Sequence, residues 1–600
     1  MPAVESTDLA LGKVFADFYA VPDYQREYVW QEEQVEQLLS DIRQEQAEDP
    51  KAEYFIGSIV TVLNATGRYE LIDGQQRMTT LFIALCALRD RQRALGEQGN
   101  AIQTLISTVR VDEQGAESNE ARLVLQYEDA GGVVGDLVAG RLAASKGATR
   151  SVANMAAAHK TAMAFYEREF GPDAAKLQAF FGYLINRVKL IRVQTDGLAR
   201  ALKIFETIND RGVGLDSMDL LKNLLFRKSK PAVFESLKTA WKELIDRLFK
   251  AGEKPLRFLR YFVLATYGVE KLREDELYKW LVDNEEKLGF GRDPLGFTRR
   301  LNEAATAYIN FQEGLGPDGR PHPDVEAIKL LAGKSTRQHL ILLLAGRSLP
   351  ADVFSALCRD AERILFVYLI TRQVNREFEV LFPAWAVQLA GIDTLAKYEA
   401  FSKDTFVRRR SELADRFRRE FSALDGQAVR GYQLRYILAK LTQAVDLAGY
   451  GQTAEGVRWL SAYFDGKALN IEHITPQTPC DEVRAEFGPG ADEPANIWSI
   501  GNLALAEAAI NKSMGNKPFG EKVADSYPKL QPLKANGFRE SRFLLTRTIS
   551  HQVEIGRNSA IDRAVARFTP FKAWNAAAIA DRTGMLTALA QDVWDVHAPA

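Results

Sequence analysis

The rhythm of apolar and polar positions changes twice along the chain. Through residues 1–225, short β-type runs alternate with stretches of helical spacing. Tyr54–Leu63 (YFIGSIVTVL) and Arg68–Ile72 (RYELI) predict two strands around the turn signal NATG. Arg77–Leu95 has the length and the three-and-four apolar spacing of a helix. Val188–Thr195 predicts another strand, and Ser217–Lys228 an amphipathic helix with Asp216 as its N-cap. Through residues 226–450 apolar positions recur at three and four almost throughout. That predicts a mainly α-helical middle, broken by the loop Gly314–Asp324. Beyond residue 451, Gly, Pro and Asn become frequent as far as Phe519, and helix-like spacing returns between Arg539 and Trp594. The expected chain is α+β and multidomain, with regions 1–225, 226–450 and 451–600 and the last boundary between about 430 and 455.

Composition narrows the classes. Of 600 residues, 46% are hydrophobic and 26% charged, enough apolar material for several cores and too much for wholesale disorder. At about 150 residues per domain, two to four domains are expected. With 77 Lys and Arg against 79 Asp and Glu the formal charge is -2, so a nucleic-acid partner must be met by a local patch. Three cysteines, Cys86, Cys358 and Cys480, form no CxxC pair. This argues against a disulfide scaffold or a cysteine zinc site and fits a reducing cytoplasm. No signal peptide is expected at MPAVESTDLALGKVF, and no run approaches the roughly 18 apolar residues of a membrane span, so no membrane partner is expected.

Two constellations carry chemistry. The first surrounds His473, one of six histidines, in NIEHITPQ. Glu472 directly precedes it, Asn502 follows 29 residues on, and Asn511 nine further. A neutral imidazole can take a proton from water near neutral pH. A hard divalent cation, Mg2+ or Mn2+, needs oxygen ligands, which Glu472 and the amide of Asn511 can supply. Such a cation stabilises charge growing on a phosphate and on a leaving oxygen. Lys512–Arg547 holds eight cations against three acids, among them Lys512, Lys517 and Lys522, a balance suited to a DNA backbone. A second basic run, Lys403–Glu420, with Phe406 and Phe417 interleaved, reads either as a DNA-tracking surface or as a helix with internal ion pairs.

The second constellation is ELIDGQQRMTTL (Glu70–Leu81), a strand, a tight turn and a helix. Asp73 and Gly74 end the strand, and Gln75, Gln76 and Arg77 sit at the helix N-terminus, where free N–H groups favour an anion. Arg77 can add a bidentate phosphate contact. The same residues also read as a capped turn with an Arg–Asp pair. No P-loop supports a Walker-type site: LAGKST has Ile328 where the first glycine is required.

Both segments resemble parts of known families. EHITP with its two asparagines resembles the HNH, or His-Me finger, nuclease motif in the form of the C-terminal domain of unknown function 1524, a ββα-metal fold. The resemblance implies that His473 is the general base, that Asn502 orients its loop and that Glu472 and Asn511 bind metal, with Asn516 a further candidate. PDYQREYVW, FIGSIV, IDGQQRMTTL and FETINDRGVGLDSMDLLKN together resemble the N-terminal domain of unknown function 262, of ParB- and sulfiredoxin-like fold, which is associated with nucleotide binding and hydrolysis. That resemblance places Tyr24, Gln25 and Arg26 with Asp73, Gly74, Gln75, Gln76 and Arg77 around one NTP pocket, Asp73 and Arg77 being catalytic. Asn209 and Arg211 either close the pocket or form a structural turn hinged at Gly212.

The combination resembles modification-dependent (type IV) restriction enzymes of the GmrSD class. It implies an NTP-regulated, metal-dependent DNA endonuclease, nicking one strand at a time, that restricts modified phage DNA in the cytoplasm. The nucleotide would be GTP or ATP, and a homodimer would serve double-strand cleavage. Two other classes are compatible with the sequence: a DNA-binding regulator with a vestigial nuclease site, and a toxin-like nuclease without a modification sensor.

Overall fold

The computed structural model describes the chain except residues 1–3, 23–24, 26, 112–116, 127–129, 142–148, 199, 203, 205–216, 334–335, 454–455, 524–536, 552–558 and 599–600. The chain divides into two compact units, Met1–Asp246 with Asp275–Arg300, and Arg247–Glu274 with Leu301–Ala600. Among the described residues, no helix is long and apolar enough to cross a membrane.

The first unit is α+β. Its strands are β1 (Val4–Ala10), β2 (Tyr19–Val21), β3 (Tyr54–Leu63), β4 (Tyr69–Asp73), β5 (Ser107–Val111), β6 (Glu117–Ala121), β7 (Leu123–Leu125) and β8 (Val188–Thr195). β5 and β6 pair with each other, and the other six form one mixed sheet in the order β1-β8-β3-β4-β2-β7. β3 runs antiparallel to β4 and parallel to β8. The helix Gln75–Ala94 is buried almost all round, from Met78 to Leu88, because it forms the centre of the unit's hydrophobic core rather than its surface. Helices Arg150–Phe170 and Ala174–Asn186 contribute Met155, Phe165, Tyr166, Phe180 and Leu184 to that core. The strands Tyr54–Leu63 and Val188–Thr195 and the helix Ser217–Lys228 have the bounds expected from the sequence. Asp216, the expected N-cap, lies outside the described residues.

In the second unit, helices including Ala351–Ile370, Phe378–Leu389 and Gly431–Tyr450 precede a small antiparallel pair, β9 (Leu469–His473) and β10 (Leu503–Glu507). A short helix, Ala508–Met514, follows β10 directly. A core cluster of Ile474, Ala504, Ala506, Ile510, Met514, Phe519 and Trp574 packs around this pair. In the basic run Lys403–Glu420, Arg409 and Arg410 are engaged in ion pairs. Phe406 and Phe417 are fully buried, and Arg410 is closed between Asp360 (2.9 Å) and Asp595 (2.6 Å). Arg409 pairs with Glu377 and Glu412. The helix-like segment Arg539–Trp594 is helical over most of its described residues, in several pieces. Short helical pieces, Phe538–Glu540, Leu544–Arg547 and Ala560–Val565, precede the long helix Ala576–Val593. Pro570 and the buried Trp574 stand in the stretch before that helix, which starts at the Asn575 cap, where Oδ1 accepts the Ala578 N–H at 3.0 Å.

Candidate functional site

The register of β9 and β10 builds the C-terminal site. His473 pairs with Leu503 and Glu472 with Ala504, so the strand end carrying the histidine lies beside the residue that follows Asn502. Asn502 is fully buried and spends its side chain on the chain itself. Its Oδ1 accepts from Thr475 N at 2.8 Å and from the Trp574 indole at 3.1 Å. Its Nδ2 donates to Thr475 O at 3.0 Å and to Ile497 O at 2.9 Å. The loop after His473 is thereby pinned at Thr475.

His473 is half-buried. Its ring meets Trp498 edge-on at 4.7 Å, and the Gln477 amide nitrogen lies 3.3 Å from both ring nitrogens. Burial, with the Lys522 ammonium nearby, lowers its pKa to about 4, so the imidazole is neutral at ordinary pH. Glu472 is buried, and the Asn511 amide donates to its Oε2. The Lys522 ammonium donates to Glu472 Oε1 at 2.6 Å and to the carbonyls of His473 and Ile474 at 3.0 Å each. All three of its protons are engaged. Burial raises the Glu472 carboxyl and lowers the Lys522 ammonium, while each holds the other charged.

This corrects one expectation. Lys522 is not on a DNA-facing surface. A buried carboxylate needs a partner, and Lys522 supplies it, with its side chain fully enclosed. Lys512 and Lys517 are exposed, on and just beyond the helix Ala508–Met514. Asn516 is exposed, and its carbonyl lies 3.7 Å from the Cys480 thiol.

The residues fit one hard cation. Glu472 Oε2 and the Asn511 amide are adjacent; half a turn of that amide would set Oδ1 beside the carboxylate, releasing the bond that Oδ1 accepts from the Asn470 amide at 3.3 Å. Among the described residues no three His, Cys, Asp or Glu side chains converge, so a cation here would rest on this carboxylate–amide pair, with water and phosphate oxygens completing its shell.

In the first unit, β4 ends at Asp73, whose Oδ1 accepts the Gly74 N–H at 2.7 Å. Gly74 caps the helix in the left-handed region at φ +81°, and a Cβ there would stand 2.6 Å from Ile59 Cγ2. Only glycine satisfies both demands. Arg77 leans back on β3, donating to Ser58 O at 3.3 Å, and a Cβ on Gly57 would come within 3.0 Å of its guanidinium. Burial lowers the Arg77 pKa, against the pull of Asp73. Arg77 also borders a cavity of about 540 Å³ with Trp30, Glu33, Gln37, Asp41 and Tyr54. Gln75 is buried at the helix start.

Gln76 has a different job from the expected one. Its Oε1 accepts from Val29 N at 2.9 Å and its Nε2 donates to Glu27 O at 3.0 Å, so it holds the segment that carries YQREYVW. Gln25 bridges Ile72 O and the ammonium of Lys222, each at 3.2 Å. Lys222, a buried cation at this corner, is missed by reading the motif alone. Its signal is a lysine on the apolar side of the helix Ser217–Lys228. Tyr24, Arg26, Asn209 and Arg211 lie outside the described residues.

Comparison with known proteins falls on these same two regions. No curated protein matches the chain. Residues 9–226 match the N-terminal domain of GmrSD restriction endonucleases, and residues 412–589 match their C-terminal domain. The C-terminal match opens within the helical part and carries through β9, β10 and most of the last helix. With about two thirds of its length covered by the two domains, in order, the chain belongs to the GmrSD restriction endonuclease family.

Proposed function

We propose that the C-terminal site is an HNH-type, one-metal DNA nicking centre, and that the Asp73–Arg77 corner binds a nucleoside triphosphate whose state governs cleavage of modified foreign DNA. The observation that carries the first part is the meeting of Glu472, His473, Asn502 and Asn511 on two antiparallel strands and the helix that follows them. His473, neutral and half-buried, takes the proton of the attacking water. Asn502 keeps the histidine loop in place, and Glu472 with the Asn511 amide holds Mg2+ or Mn2+. When bound, that cation stabilises the charge that develops on the phosphate and the leaving oxygen. Lys512 and Lys517 meet the DNA backbone. A single centre cuts one strand, so a double-strand break calls for a homodimer or a second encounter.

The reading of the N-terminal corner rests on the glycine-capped helix start with Arg77 beside it. Helix N–H groups and a guanidinium suit the phosphates of GTP or ATP. Trp30 and Tyr54 on the adjoining cavity offer rings for a base. Asp73, Gly74, Gln75 and Arg77 face the nucleotide, with Gln25, Tyr24 and Arg26 beside them and Asn209 and Arg211 closing over it. The ParB-like reading of the unit and its role as the sensor of modified phage DNA belong to the same proposal.

The test is nicking of supercoiled DNA by the purified chain, on a panel of modified and unmodified DNAs, with Mg2+, and with and without each NTP. Metal-dependent nicking that favours one modification and responds to one NTP supports the whole reading. Equal cleavage of every DNA, whatever the nucleotide, supports the toxin-like class. No nicking with any metal supports the vestigial one.

A further inference from the structure

Arg582 lies in the C-terminal helix Ala576–Val593, and only 3% of it is exposed. Among the described residues its partners are two main-chain carbonyls and no carboxylate: one guanidinium nitrogen donates to Gly501 O at 2.6 Å and to Leu503 O at 2.8 Å. A buried cation without a counter-charge is costly, and leucine or methionine would fill the same space more cheaply. What the guanidinium adds is a grip on the peptide units either side of Asn502.

The neighbouring turn of the helix reinforces that grip. A Cβ on Gly501 would sit 2.2 Å from Thr583 Oγ1 and 2.3 Å from Ile579 O, so residue 501 rests directly on the helix. The Ser499 and Thr583 hydroxyls meet at 3.2 Å. Trp574, just before the helix, supplies the indole bond to Asn502 Oδ1. Asn502 in turn pins Thr475, and Leu503 is the register partner of His473. One residue of the last helix thus reaches the histidine by two routes, through the Asn502 side chain and through β10.

We infer that Arg582 is a positioning residue for strand cleavage, setting the His473 loop through the carbonyls of Gly501 and Leu503. The inference rests on the nuclease reading of His473. A displacement of about 1 Å in a reacting group can cost about 10²-fold in rate. R582M keeps the aliphatic bulk and loses every donor, and R582K keeps a donor that can reach one carbonyl.

The experiment measures nicking kcat, KM for DNA, half-saturating Mn2+ and thermal unfolding for the wild type, R582K, R582M and H473A, all of the full chain. The expected result is a fall in kcat of about 10²-fold for R582M with partial recovery in R582K, while KM and the Mn2+ requirement hold. In selectively labelled protein, the side-chain amide signals of Asn502 are expected to move in both Arg582 variants. Wild-type kcat per folded molecule in R582M, with a lower melting temperature alone, overturns the inference and leaves Arg582 a packing residue. If R582M does not fold, R582K decides: a lower kcat at unchanged KM supports positioning, and a wild-type kcat refutes it. H473A separates the two readings. If it nicks as the wild type does, the nuclease assignment fails. If it is dead while R582M is fully active, only the positioning role fails.

Discussion

The two corners, Asp73–Arg77 and Glu472–Asn511, share a plan: a strand carries a carboxylate at or next to its end, and a helix lies a short distance away in space. They differ in where their polar groups point. At the first corner Asp73 and Gln76 are turned onto nearby backbone, and Arg77 is left beside a cavity. At the second, Glu472 and Asn511 are turned onto each other, and Lys522 closes the other carboxylate oxygen. A corner whose acid is spent on its own turn can recognise a ligand mainly through its cation and its helix N–H groups. A corner whose acid faces an amide is arranged to share a cation. Under the proposed function, the first corner would bind an anion and the second a metal.

The sharpest way to break this comparison is a crossed pair of variants. H473A is expected to lower nicking by about 10²–10⁴-fold, the usual cost of a general base, while NTP hydrolysis continues. R77A or D73A is expected to abolish NTP hydrolysis and, in cells, restriction of phage. Nicking and hydrolysis are measured on the same preparations. If R77A hydrolyses NTP normally, the first corner is only a capped turn and the contrast between anion and metal sites collapses.

Within the second corner the comparison predicts a division of labour. N511A removes one neutral oxygen, so raised Mg2+ or Mn2+ should restore part of its activity. N502A leaves the Thr475 N–H and the Trp574 indole buried without their acceptor, at about 1–3 kcal/mol each, and no metal concentration repairs that. Superimposable metal titrations for the two variants would refute the division.

How much of this is legible in the sequence depends on the range of the interaction. The strand Val188–Thr195 and the helix Ser217–Lys228 follow from alternation and spacing, which are local. The types of the site residues are legible too, because Glu472 and His473 are adjacent and the asparagines stand at fixed offsets. Lys522, Arg582 and Trp574 are not legible in that way. Lys522 looks like one more cation in a basic stretch until a carboxylate 50 residues away buries it. Arg582 acts on carbonyls 79 and 81 residues away, and carbonyls have no sequence. Gln76 is read as part of a ligand motif, yet its amide matches two backbone groups at Glu27 and Val29, which only the fold brings near.

A smaller effect is expected at the glycine of the first corner. G74A forces a residue with a Cβ into the left-handed region, at about 1–2 kcal/mol, and sets that Cβ 2.6 Å from Ile59 Cγ2. Overpacking adds about 1–3 kcal/mol. Placing I59A in the G74A background removes the clash and leaves the backbone term, so part of the added loss should be recovered in that context. Denaturant unfolding of the single and double variants measures this. Simple additivity of G74A and I59A would show that the two residues do not press on each other, and that the turn is looser than its geometry implies.

The smallest effect separates the units by pH. Each unit has a side chain spent on tying distant segments together: Gln76 in the first and Asp446 in the second. Asp446, on the helix Gly431–Tyr450, is buried; it accepts the Leu544 N–H at 2.9 Å and the Tyr463 hydroxyl at 3.0 Å. An amide clamp does not titrate, but a carboxylate does. Burial raises the Asp446 pKa from 3.8 to about 6, so the folded protein binds this proton more tightly than the unfolded chain does. The contribution of Asp446 is therefore full below about pH 4 and falls as pH rises to about 6, by no more than about 2–3 kcal/mol. Asn at this position keeps the acceptor for Leu544 N–H, and the Tyr463 hydroxyl can turn to accept from its amide. D446N should then lose the pH-dependent part alone, and the difference in unfolding free energy between D446N and wild type should grow between about pH 4 and pH 6. Other titrating groups cancel in that difference. A difference that stays flat across the range would mean that Asp446 is ionised in the folded protein at little cost, and that the two clamps, amide and carboxylate, are equivalent.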